Sequence, residues 1–416
     1  MSQTMACSNL RYKMGIYIEQ LFLLSPFIWL MVGVFSVPGG KSALSRLIPL
    51  VAVYCLIRFK GEWRTNLNNQ AFKAFSIANL IIFVLLTLNH LLGGEDFSFA
   101  RTLLIVQLYL TLLPWHKITL HQLSLVMALA GIVIGVESIY EVMVLNLGRA
   151  GFLALNPIPY ATFAAILLIS YVYFLFTMNA KKWINGLYSL GAIGAIGAII
   201  FSGTRGVWLA VLLTFFLLAW PLARKMGAKK IFTTTLACCL FIGAGAFVAG
   251  EKLTTRYQQT STEFANMASG NMDTSIGIRL QLWQRGWSYI KQSPLLGTGT
   301  PGYLQKIEQD KIAGLISRTA APLADAHFHN QYIDTLVRTG SLGLFILLAW
   351  MLLPTWLLHK QQHYNLRNWT LGCAIIVLIS GLTDVPFHHT HIIYLYSMVM
   401  GLILLKAESD KLEAES

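Results

Sequence analysis

The stretch Ala326–Leu344, AHFHNQYIDTLVRTGSLGL, decides how this chain is organised. It begins as a polar segment that carries His327 and His329, and it continues into an apolar helix whose first turns carry Asp334 and Arg338. A titratable side chain beside hydrocarbon is costly, so such side chains are retained mainly where they function. The stretch therefore indicates a junction between a long polar loop and a membrane helix, and we expect the chemistry at that junction.

The composition of the whole chain is that of a polytopic membrane protein. Of its 416 residues, 56% are hydrophobic and 12% are charged, whereas a soluble domain has about 25% charged residues. Apolar runs of the roughly 17–25 residues needed to cross a bilayer recur from Ile16 to Leu405. These runs are continuous and do not alternate between apolar and polar residues, which excludes a transmembrane barrel. We predict an all-α integral membrane protein.

The apolar runs predict about twelve membrane spans joined mostly by short connections. The predicted spans are residues 15–36, 44–58, 72–92, 99–115, 119–141, 157–178, 183–202, 205–222, 230–250, 331–358, 368–384 and 387–405. One connection, of about 80 residues, separates the ninth span from the tenth. We therefore divide the chain into residues 1–250 with nine spans, 251–330 as a large, partly helical loop, and 331–416 with three spans and a short tail.

The basic residues predict the orientation. If the N-terminus is cytoplasmic, most Lys and Arg residues fall on inside segments, and the short outside segments hold only Lys41, Arg46, Arg101, Arg149 and Arg205. This asymmetry follows the positive-inside rule. Both termini are then cytoplasmic and the long loop is extracytoplasmic. The same rule explains the net charge of +13, and no basic–aromatic strip supports nucleic-acid binding.

The sequence shows no strong motif for a metal or a nucleotide cofactor. There is no G-x-x-x-x-G-K-[ST] loop, and no disulfide framework is indicated by the five cysteines, Cys7, Cys55, Cys238, Cys239 and Cys373. His388, His389 and His391 cluster beside Asp384, but this spacing on a short connection is weak support for a metal site. We expect neither a metal nor another cofactor.

The long loop has a regular pattern of its own. Apolar residues recur at steps of four and three, at Ile276, Leu280, Trp283, Trp287 and Ile290. This spacing predicts an amphipathic helix, which the Gly/Pro-rich turn Pro294–Tyr303 is expected to end. A loop of this length with its own structure is usually functional.

A row of small residues predicts one close helix contact. Gly191, Gly194 and Gly197 line one face of the seventh span. Small residues allow two helix backbones to approach closely in a membrane. We therefore predict tight packing of the seventh span against a neighbouring helix.

Outside arginines are candidate anion-binding groups. Arg205 begins the eighth span, Arg149 lies just outside the sixth, and Arg279 lies on the predicted loop helix. An arginine binds phosphate oxygens through two parallel hydrogen bonds and keeps its charge at any relevant pH. The alternative is that Arg205 and Arg149 extend toward lipid headgroups, and that Arg279, like Arg285 and Lys291, is a solvated residue of a loop helix.

His329 is the candidate base. It precedes Asn330 at the start of the tenth span, where an imidazole is able to accept a proton from a substrate. The alternative is an imidazole that only satisfies local hydrogen bonds. His327 lies two residues earlier, and we expect its side chain to point elsewhere.

Four segments in this order resemble the O-antigen ligase superfamily, which includes O-antigen ligases and polymerases. The segments are GRAGFLALNP, SGTRGVWLA, IGIRLQLWQRGWSYIKQSPLLGTGTPGY and HFHNQYIDTLVRTGSLGL, which together cover roughly Arg149–Leu344. The predicted twelve-span layout, with a large outer loop before the tenth span, is similar as well. The resemblance implies a GT-C-like glycosyltransferase of the bacterial inner membrane whose active site faces the periplasm.

The resemblance also implies substrates and residue roles. Family members transfer a glycan from undecaprenyl pyrophosphate to a hydroxyl without a metal, and in ligases this hydroxyl belongs to the lipid A–core oligosaccharide. The family's two functional arginines match Arg205 and Arg279, which would bind the donor pyrophosphate, and its essential histidine matches His329. Possible supporting residues are Arg149, Asn330, His327, Arg338 and Asp384.

Two other functions remain open from the sequence. An O-antigen polymerase would use the same donor with another lipid-linked glycan as acceptor. A secondary transporter would place ionisable residues near the membrane midplane, where this chain has mainly Glu19 and Glu137.

Overall fold

The computed structural model describes residues 2–153, 156–223 and 250–415, and these residues form helices and no strands. The helices in chain order are α1 (Ser2–Val32), α2 (Gly40–Arg58), α3 (Glu62–Asn68), α4 (Gln70–Gly93), α5 (Ser98–Leu112), α6 (Leu120–Ile139), α7 (Pro157–Thr177), α8 (Lys182–Ser202), α9 (Arg205–Ala223), α10 (Gly250–Ala268), α11 (Ser275–Ile290), α12 (Gly299–Ile312), α13 (Ala321–Ala324), α14 (Gln331–Lys360), α15 (Tyr364–Ser380) and α16 (Thr390–Glu415). The fold is the all-α membrane protein that the composition predicts.

Eight helical segments among the described residues are long and apolar enough to cross a membrane. They are Met14–Val32, Gly40–Arg58, Gln70–Gly93, Leu120–Val144, Pro157–Thr177, Lys182–Ser202, Gln331–Lys360 and Thr390–Ala407. Two further apolar helices, Ser98–Leu112 and Arg205–Leu218, are shorter. The predicted span 230–250 falls almost wholly outside the described residues. The protein is thus a multi-pass membrane protein, and twelve spans remain a prediction.

Helices α6 and α8 pack with their backbones in close contact. A Cβ atom built on Gly194 would lie 2.0 Å from the carbonyl oxygen of Gly131, and one on Gly191 would lie 3.1 Å from that of Ala128. By contrast, a Cβ atom on Gly197 would meet only the Ser138 hydroxyl, at 4.0 Å. The predicted close contact of the seventh span is confirmed at two of its three glycines.

Residues 250–330, which we call the loop segment, contain α10 to α13 and cover one end of the bundle, the loop end. This segment has its own hydrophobic core together with the first turns of α14. The core consists of Ile278, Leu282, Tyr289, Ile290, Tyr303, Ile307, Ile316, Ala320, Ala324, Phe328 and Val337. This second core fixes the loop segment to the start of α14, because apolar side chains of both are removed from water where they meet.

The predicted loop helix is present as α11, but its predicted apolar stripe is only partly buried: Ile290 is 7% exposed, and other members are more exposed. Leu280 is 37% exposed and Trp287 is 55% exposed, whereas Leu282 is fully buried. The reason is the close approach of α11 to α14, since a Cβ atom on Gly286 would lie 2.5 Å from the side chain of Ile333. The helix turns its glycine face toward α14, and the predicted stripe lies beside that face.

Arg285 on α11 is not the solvated residue that the sequence suggests. Its Nε and one terminal nitrogen donate to the two carboxylate oxygens of Asp310, at 2.6 and 2.8 Å. Asp310 is buried and also accepts from the Tyr289 hydroxyl. This paired interaction joins α11 to α12 and has a structural role in the loop segment.

The turn after α11 is shorter than predicted. Of the predicted turn Pro294–Tyr303, the residues from Gly299 onward belong to α12. The remaining turn packs against an interruption in α14 at Gly340, which has φ 66°. A Cβ atom on Gly340 would lie 2.2 Å from the carbonyl group of Leu295. Glycine is required there both by the positive φ and by the approach of the turn.

Candidate functional site

Three connections meet at the loop end of the bundle. They are the α8–α9 turn, the residues just before α14, and the connection from α15 to α16. The Arg279 side chain of α11 donates to the carbonyl of Thr383 at 3.2 Å, and Asn330 donates to the carbonyl of Leu382 at 3.1 Å. These bonds bring α11 and the start of α14 to the same connection, 381–389, so residues far apart in sequence share one site.

His329 stands immediately before α14 in an uncommon backbone conformation. Its φ is 50°, and the next residue, Asn330, caps the helix by accepting from the amides of Tyr332 and Ile333 at 3.0 Å each. The Nδ1 atom of His329 lies 3.8 Å from Oδ1 of Asp384 and is buried without a hydrogen-bond partner in the described part of the chain. Asn330 therefore fixes the helix start, and the left-handed backbone directs His329 toward Asp384.

Asp384 lies between two imidazoles. Its Oδ2 atom is 3.4 Å from Nε2 of His389, and its side chain is only 3% exposed. Burial alone would raise the pKa of Asp384, but the imidazoles of His329 and His389 beside it hold this pKa well below its usual value. The group is therefore a carboxylate, able to orient His329 and to stabilise a proton on it.

His327 is part of the same cluster. The prediction that its side chain points elsewhere is wrong: its ring centroid lies 4.2 Å from that of His329, and its Nδ1 accepts from the His329 amide at 3.1 Å. The positive φ of His329 turns the chain back and produces this contact. Burial, together with the nearby His329, lowers the pKa of His327 to about 3, so this imidazole stays neutral.

Three of these groups also form a set that suits a metal ion. His327, His329 and Asp384 each offer a ligand atom, and these atoms lie within 4.8 Å of one another. Two imidazoles and a carboxylate are common ligands of zinc and related ions. This set differs from the His388/His389/His391 cluster noted in the sequence. The same three groups also suit a base with an orienting carboxylate, so the two roles must be separated by measuring metal dependence.

The two arginines matched by the resemblance lie near each other. Arg205 donates to the Thr260 hydroxyl at 2.6 Å and to the Glu263 carboxylate at 3.0 Å. Burial lowers the pKa of Arg279; Asp384 opposes this shift, and the Arg205 charge adds to it. A Cβ atom on Gly206, the residue after Arg205, would lie 2.1 Å from the Thr383 hydroxyl, and Arg279 donates to the carbonyl of the same Thr383, so both arginines lie at the connection that carries Asp384.

Arg149 braces the turn that precedes Arg205. Its guanidinium donates to the Ser202 carbonyl at 2.6 Å and to the Thr204 hydroxyl at 3.1 Å. Its own loop is held by Glu141, whose carboxylate accepts from the Gly151 amide at 2.8 Å. Sequence patterns alone do not single out Glu141, although a carboxylate at the end of an apolar span is a signal of such a role.

Arg338 belongs to a different network from Arg205 and Arg279. Its Nε donates to Asp334 at 2.9 Å, and other nitrogens donate to the Tyr303 hydroxyl at 3.1 Å and the Ala326 carbonyl at 3.0 Å. The Glu95 carboxylate lies 4.0 Å away. In this position Arg338 joins α12, α14 and the turn after α4.

A cavity of about 440 Å³ lies beside this network, between α4 and α14. Its polar end carries Glu95, Asp334, Arg338 and His388, and its walls are mainly leucines from the two helices. The ring of His388 lies 5.1 Å from that of His327. His388 thus links the cavity to His327, whose ring also contacts that of His329.

The chain is similar in sequence to a known protein family and to several known proteins. The sequence profile of the family described as O-antigen ligase matches residues 190–348. An uncharacterized protein of Haemophilus influenzae is 25% identical over 236 residues, 56% of this chain and 56% of that protein. The exopolysaccharide production protein ExoQ of Rhizobium meliloti is 28% identical over 193 residues, 40% of this chain and 43% of that protein. The O-antigen ligase of Escherichia coli is 24% identical over 214 residues, 50% of this chain and 48% of that protein.

The fold is that of a multi-pass membrane protein, and residues 190–348 match the O-antigen ligase family. This match and the similarity to ExoQ and to an O-antigen ligase support the O-antigen ligase superfamily, which the resemblance of the motifs predicts. The alignments span about half the length of the curated relatives that the chain matches. The matched region extends from α8 to the middle of α14 and includes Arg205, Arg279 and His329.

Proposed function

We propose that the protein is an O-antigen ligase. It transfers a glycan from undecaprenyl pyrophosphate to a hydroxyl of the lipid A–core oligosaccharide. The observation that carries this proposal is the convergence of His329, Asp384 and Arg279, with Arg205 close by, at the loop end of the bundle. A base with an orienting carboxylate and two guanidinium groups is well suited to a transfer with a pyrophosphate leaving group.

The arginines act on the donor. Arg205 and Arg279 bind the pyrophosphate and stabilise the negative charge that develops on it as the glycosidic bond breaks. Charge-assisted hydrogen bonds from guanidinium groups are well suited to this, because the groups are positioned before the reaction. Arg149 holds the turn from which Arg205 projects, and so positions it.

His329 acts on the acceptor. It accepts the proton of the acceptor hydroxyl while the hydroxyl oxygen attacks the anomeric carbon from the face opposite the leaving group. A carbon–oxygen bond forms to the acceptor, the bond between the anomeric carbon and the phosphate oxygen breaks, and undecaprenyl pyrophosphate leaves with the electron pair. The configuration at the anomeric carbon inverts. The imidazolium that forms is stabilised by the adjacent Asp384 carboxylate.

The proposed reaction takes place at the periplasmic face of the bacterial inner membrane, with both termini in the cytoplasm. The distribution of Lys and Arg supports this orientation. The location agrees with an activated lipid-linked donor, because a soluble nucleotide sugar is not expected on that side. The cavity between α4 and α14 offers room for part of a lipid-linked substrate next to the histidine cluster.

The direct test is transfer by the purified full chain. Lipid-linked glycan and lipid A–core are supplied in detergent, and the product is separated by size. His329→Ala is expected to abolish transfer while expression and thermal stability remain, and His116→Ala, which changes a histidine that is 51% exposed, serves as the matched control. Full turnover by His329→Ala would exclude the base role.

The same assay decides the role of metal. We propose a metal-independent transfer without another cofactor, so activity is expected to persist in the presence of a chelator. If a chelator stops transfer and a divalent ion restores it, then His327, His329 and Asp384 are metal ligands and the proposed mechanism is wrong.

A polymerase is the second candidate. It is favoured by the similarity to ExoQ, which is named as an exopolysaccharide production protein. A polymerase would use the same donor and the same groups, but its acceptor would be another lipid-linked glycan. Supplying the lipid-linked glycan alone distinguishes the two, because only a polymerase then makes longer chains.

A further inference from the structure

The Arg205 guanidinium of the candidate site is already paired with a carboxylate of the same chain. Glu263 of α10 places one oxygen 3.0 Å from a terminal nitrogen of Arg205. Its other oxygen accepts from the backbone amide of Ile276 at 3.2 Å. The Glu263 side chain is 16% exposed, so most of the carboxylate is withdrawn from water.

The groups around Glu263 are those that bind phosphate. The Ile276 amide lies in the first turn of α11, where free backbone N–H groups and the helix dipole favour an anion. Arg205 adds a guanidinium, and the Glu263 charge also reaches Arg279. A carboxylate and a phosphate accept hydrogen bonds from such groups in the same way, so the Glu263 carboxylate stands where a phosphate oxygen would bind.

Two residues of α10 both bind the Arg205 guanidinium. Thr260 and Glu263 are three residues apart on one helix face and accept from different nitrogens of the same guanidinium. A shift of α10 therefore releases both contacts at once. The guanidinium and the Ile276 amide would then be available to a ligand from the membrane.

We propose that Glu263 is an internal counter-ion that occupies the phosphate-binding position of the donor and that a diphosphate displaces. The identity of this ligand as the donor rests on the proposed function. A competing carboxylate makes the site selective, because a singly charged phosphodiester headgroup gains less from the two arginines than a diphosphate does. The abundant phospholipids of the bilayer are then poor competitors.

The test compares Glu263→Gln with the matched control Glu308→Gln, whose carboxylate is 63% exposed on α12. Binding of inorganic pyrophosphate and of inorganic phosphate to the detergent-solubilised full chain is measured by titration calorimetry. Glu263→Gln is expected to lower the Kd for pyrophosphate about three- to tenfold and to raise the affinity for phosphate by a larger factor, so that selectivity falls. Glu308→Gln is expected to leave both constants unchanged.

The direction of the change in pyrophosphate affinity distinguishes a counter-ion from a supporting residue. If Glu263 only supports Arg205, its replacement weakens pyrophosphate binding, and that result, or no change, overturns the proposal. Glu263→Asp keeps the charge, and it is expected to preserve selectivity if the shorter variant folds with an unchanged melting temperature.

Failure of this inference is distinguishable from failure of the proposed function. The binding constants are measured without catalysis. If Glu263→Gln binds pyrophosphate more tightly but the protein transfers no glycan, the counter-ion proposal stands and the ligase proposal fails. If glycan transfer is normal but Glu263→Gln leaves the binding constants unchanged, the ligase proposal stands and the counter-ion proposal fails. In an active enzyme, the KM for undecaprenyl-pyrophosphate-linked glycan is expected to fall in Glu263→Gln, with the KM for lipid A–core unchanged.

Discussion

The Nδ1 atom of His329 lies 3.8 Å from Oδ1 of Asp384, although the two residues are separated in sequence by the whole of α14 and α15. The pair forms because Asn330, the cap of α14, also donates to the connection that carries Asp384. The helix start and the connection are therefore fixed to each other. In the proposed mechanism, the carboxylate at this position orients the imidazole for proton transfer.

Asp384→Asn is expected to lower kcat about ten- to a thousandfold, with a smaller change in the KM for either substrate, because general-base catalysis depends on the orientation and charge partner of the base. The measurement is steady-state glycan transfer. Asp273→Asn, at an exposed carboxylate in the turn before α11, is the control. The double variant His329→Ala/Asp384→Asn should be no slower than His329→Ala alone; additive losses would show that Asp384 acts independently.

Arg149→Ala is expected to raise the KM for the lipid-linked donor more than it lowers kcat. The change removes two hydrogen bonds from the turn that leads into Arg205, and hydrogen bonds of a charged group contribute about 1.5–3 kcal/mol. Arg149→Lys should restore only part of the loss, because an ammonium does not reproduce the two directions of the guanidinium. Donor kinetics identical to those of Arg101→Ala, which removes an exposed arginine, would contradict the positioning role.

Gly194→Ala is expected to destabilise the bundle by about 1–3 kcal/mol, the usual cost of overpacking a close contact. The added methyl group would overlap the Gly131 carbonyl, 2.0 Å away, and neither helix backbone is able to withdraw without losing other contacts. Gly197→Ala is the matched control on the same helix, since its methyl group meets only a hydroxyl at 4.0 Å. Thermal unfolding in detergent measures both, and equal melting temperatures would refute close α6–α8 packing.

The stability of the loop end is expected to fall as the pH is lowered from 7 to 5. The pKa of His327 is lowered to about 3 in the folded protein, mainly by burial, whereas an unfolded histidine has a pKa of about 6.5. The unfolded chain therefore binds more protons below pH 6.5, and stability decreases as the pH falls. Asp384, whose folded pKa is depressed, adds a loss in the same direction only at lower pH.

The measurement for this pH effect is the melting temperature between pH 7 and pH 5. His327→Gln removes one titrating group and is expected to reduce the slope, while His388, whose pKa is also lowered by burial, keeps part of it. His116→Gln, at a histidine that is 51% exposed, should keep the wild-type slope. If His327→Gln and wild type show the same slope, then another group causes the acid sensitivity.

The sequence predicted the local elements of the loop segment better than their contacts. The spacing of apolar residues indicated the helix Ser275–Ile290, but α11 has apolar residues on two neighbouring faces. The choice between these faces is made by Gly286, which fits against Ile333 of α14. Such a choice depends on the shape of a distant partner and cannot be read from periodicity alone.

The contact between His327 and His329 could not be predicted from the sequence either, because it depends on the backbone conformation of one residue. The left-handed backbone at His329 is uncommon for a non-glycine residue, so the sequence favoured separate directions for His327 and His329. Likewise, nothing in the sequence around Glu263 signalled an ion pair with Arg205. The residues of the site could be nominated one by one, but their pairing could not.

The sequence by itself determined that this protein is helical, spans the membrane several times and carries a long structured loop. These properties follow from local requirements, because each span must be long and apolar enough for the bilayer and must satisfy its own backbone hydrogen bonds. Only the tertiary structure decided that Asp384 partners His329, and that Glu263 faces Arg205. Those pairs join segments that are distant along the chain, and their energies depend on burial and charge, which exist only once the helices have packed.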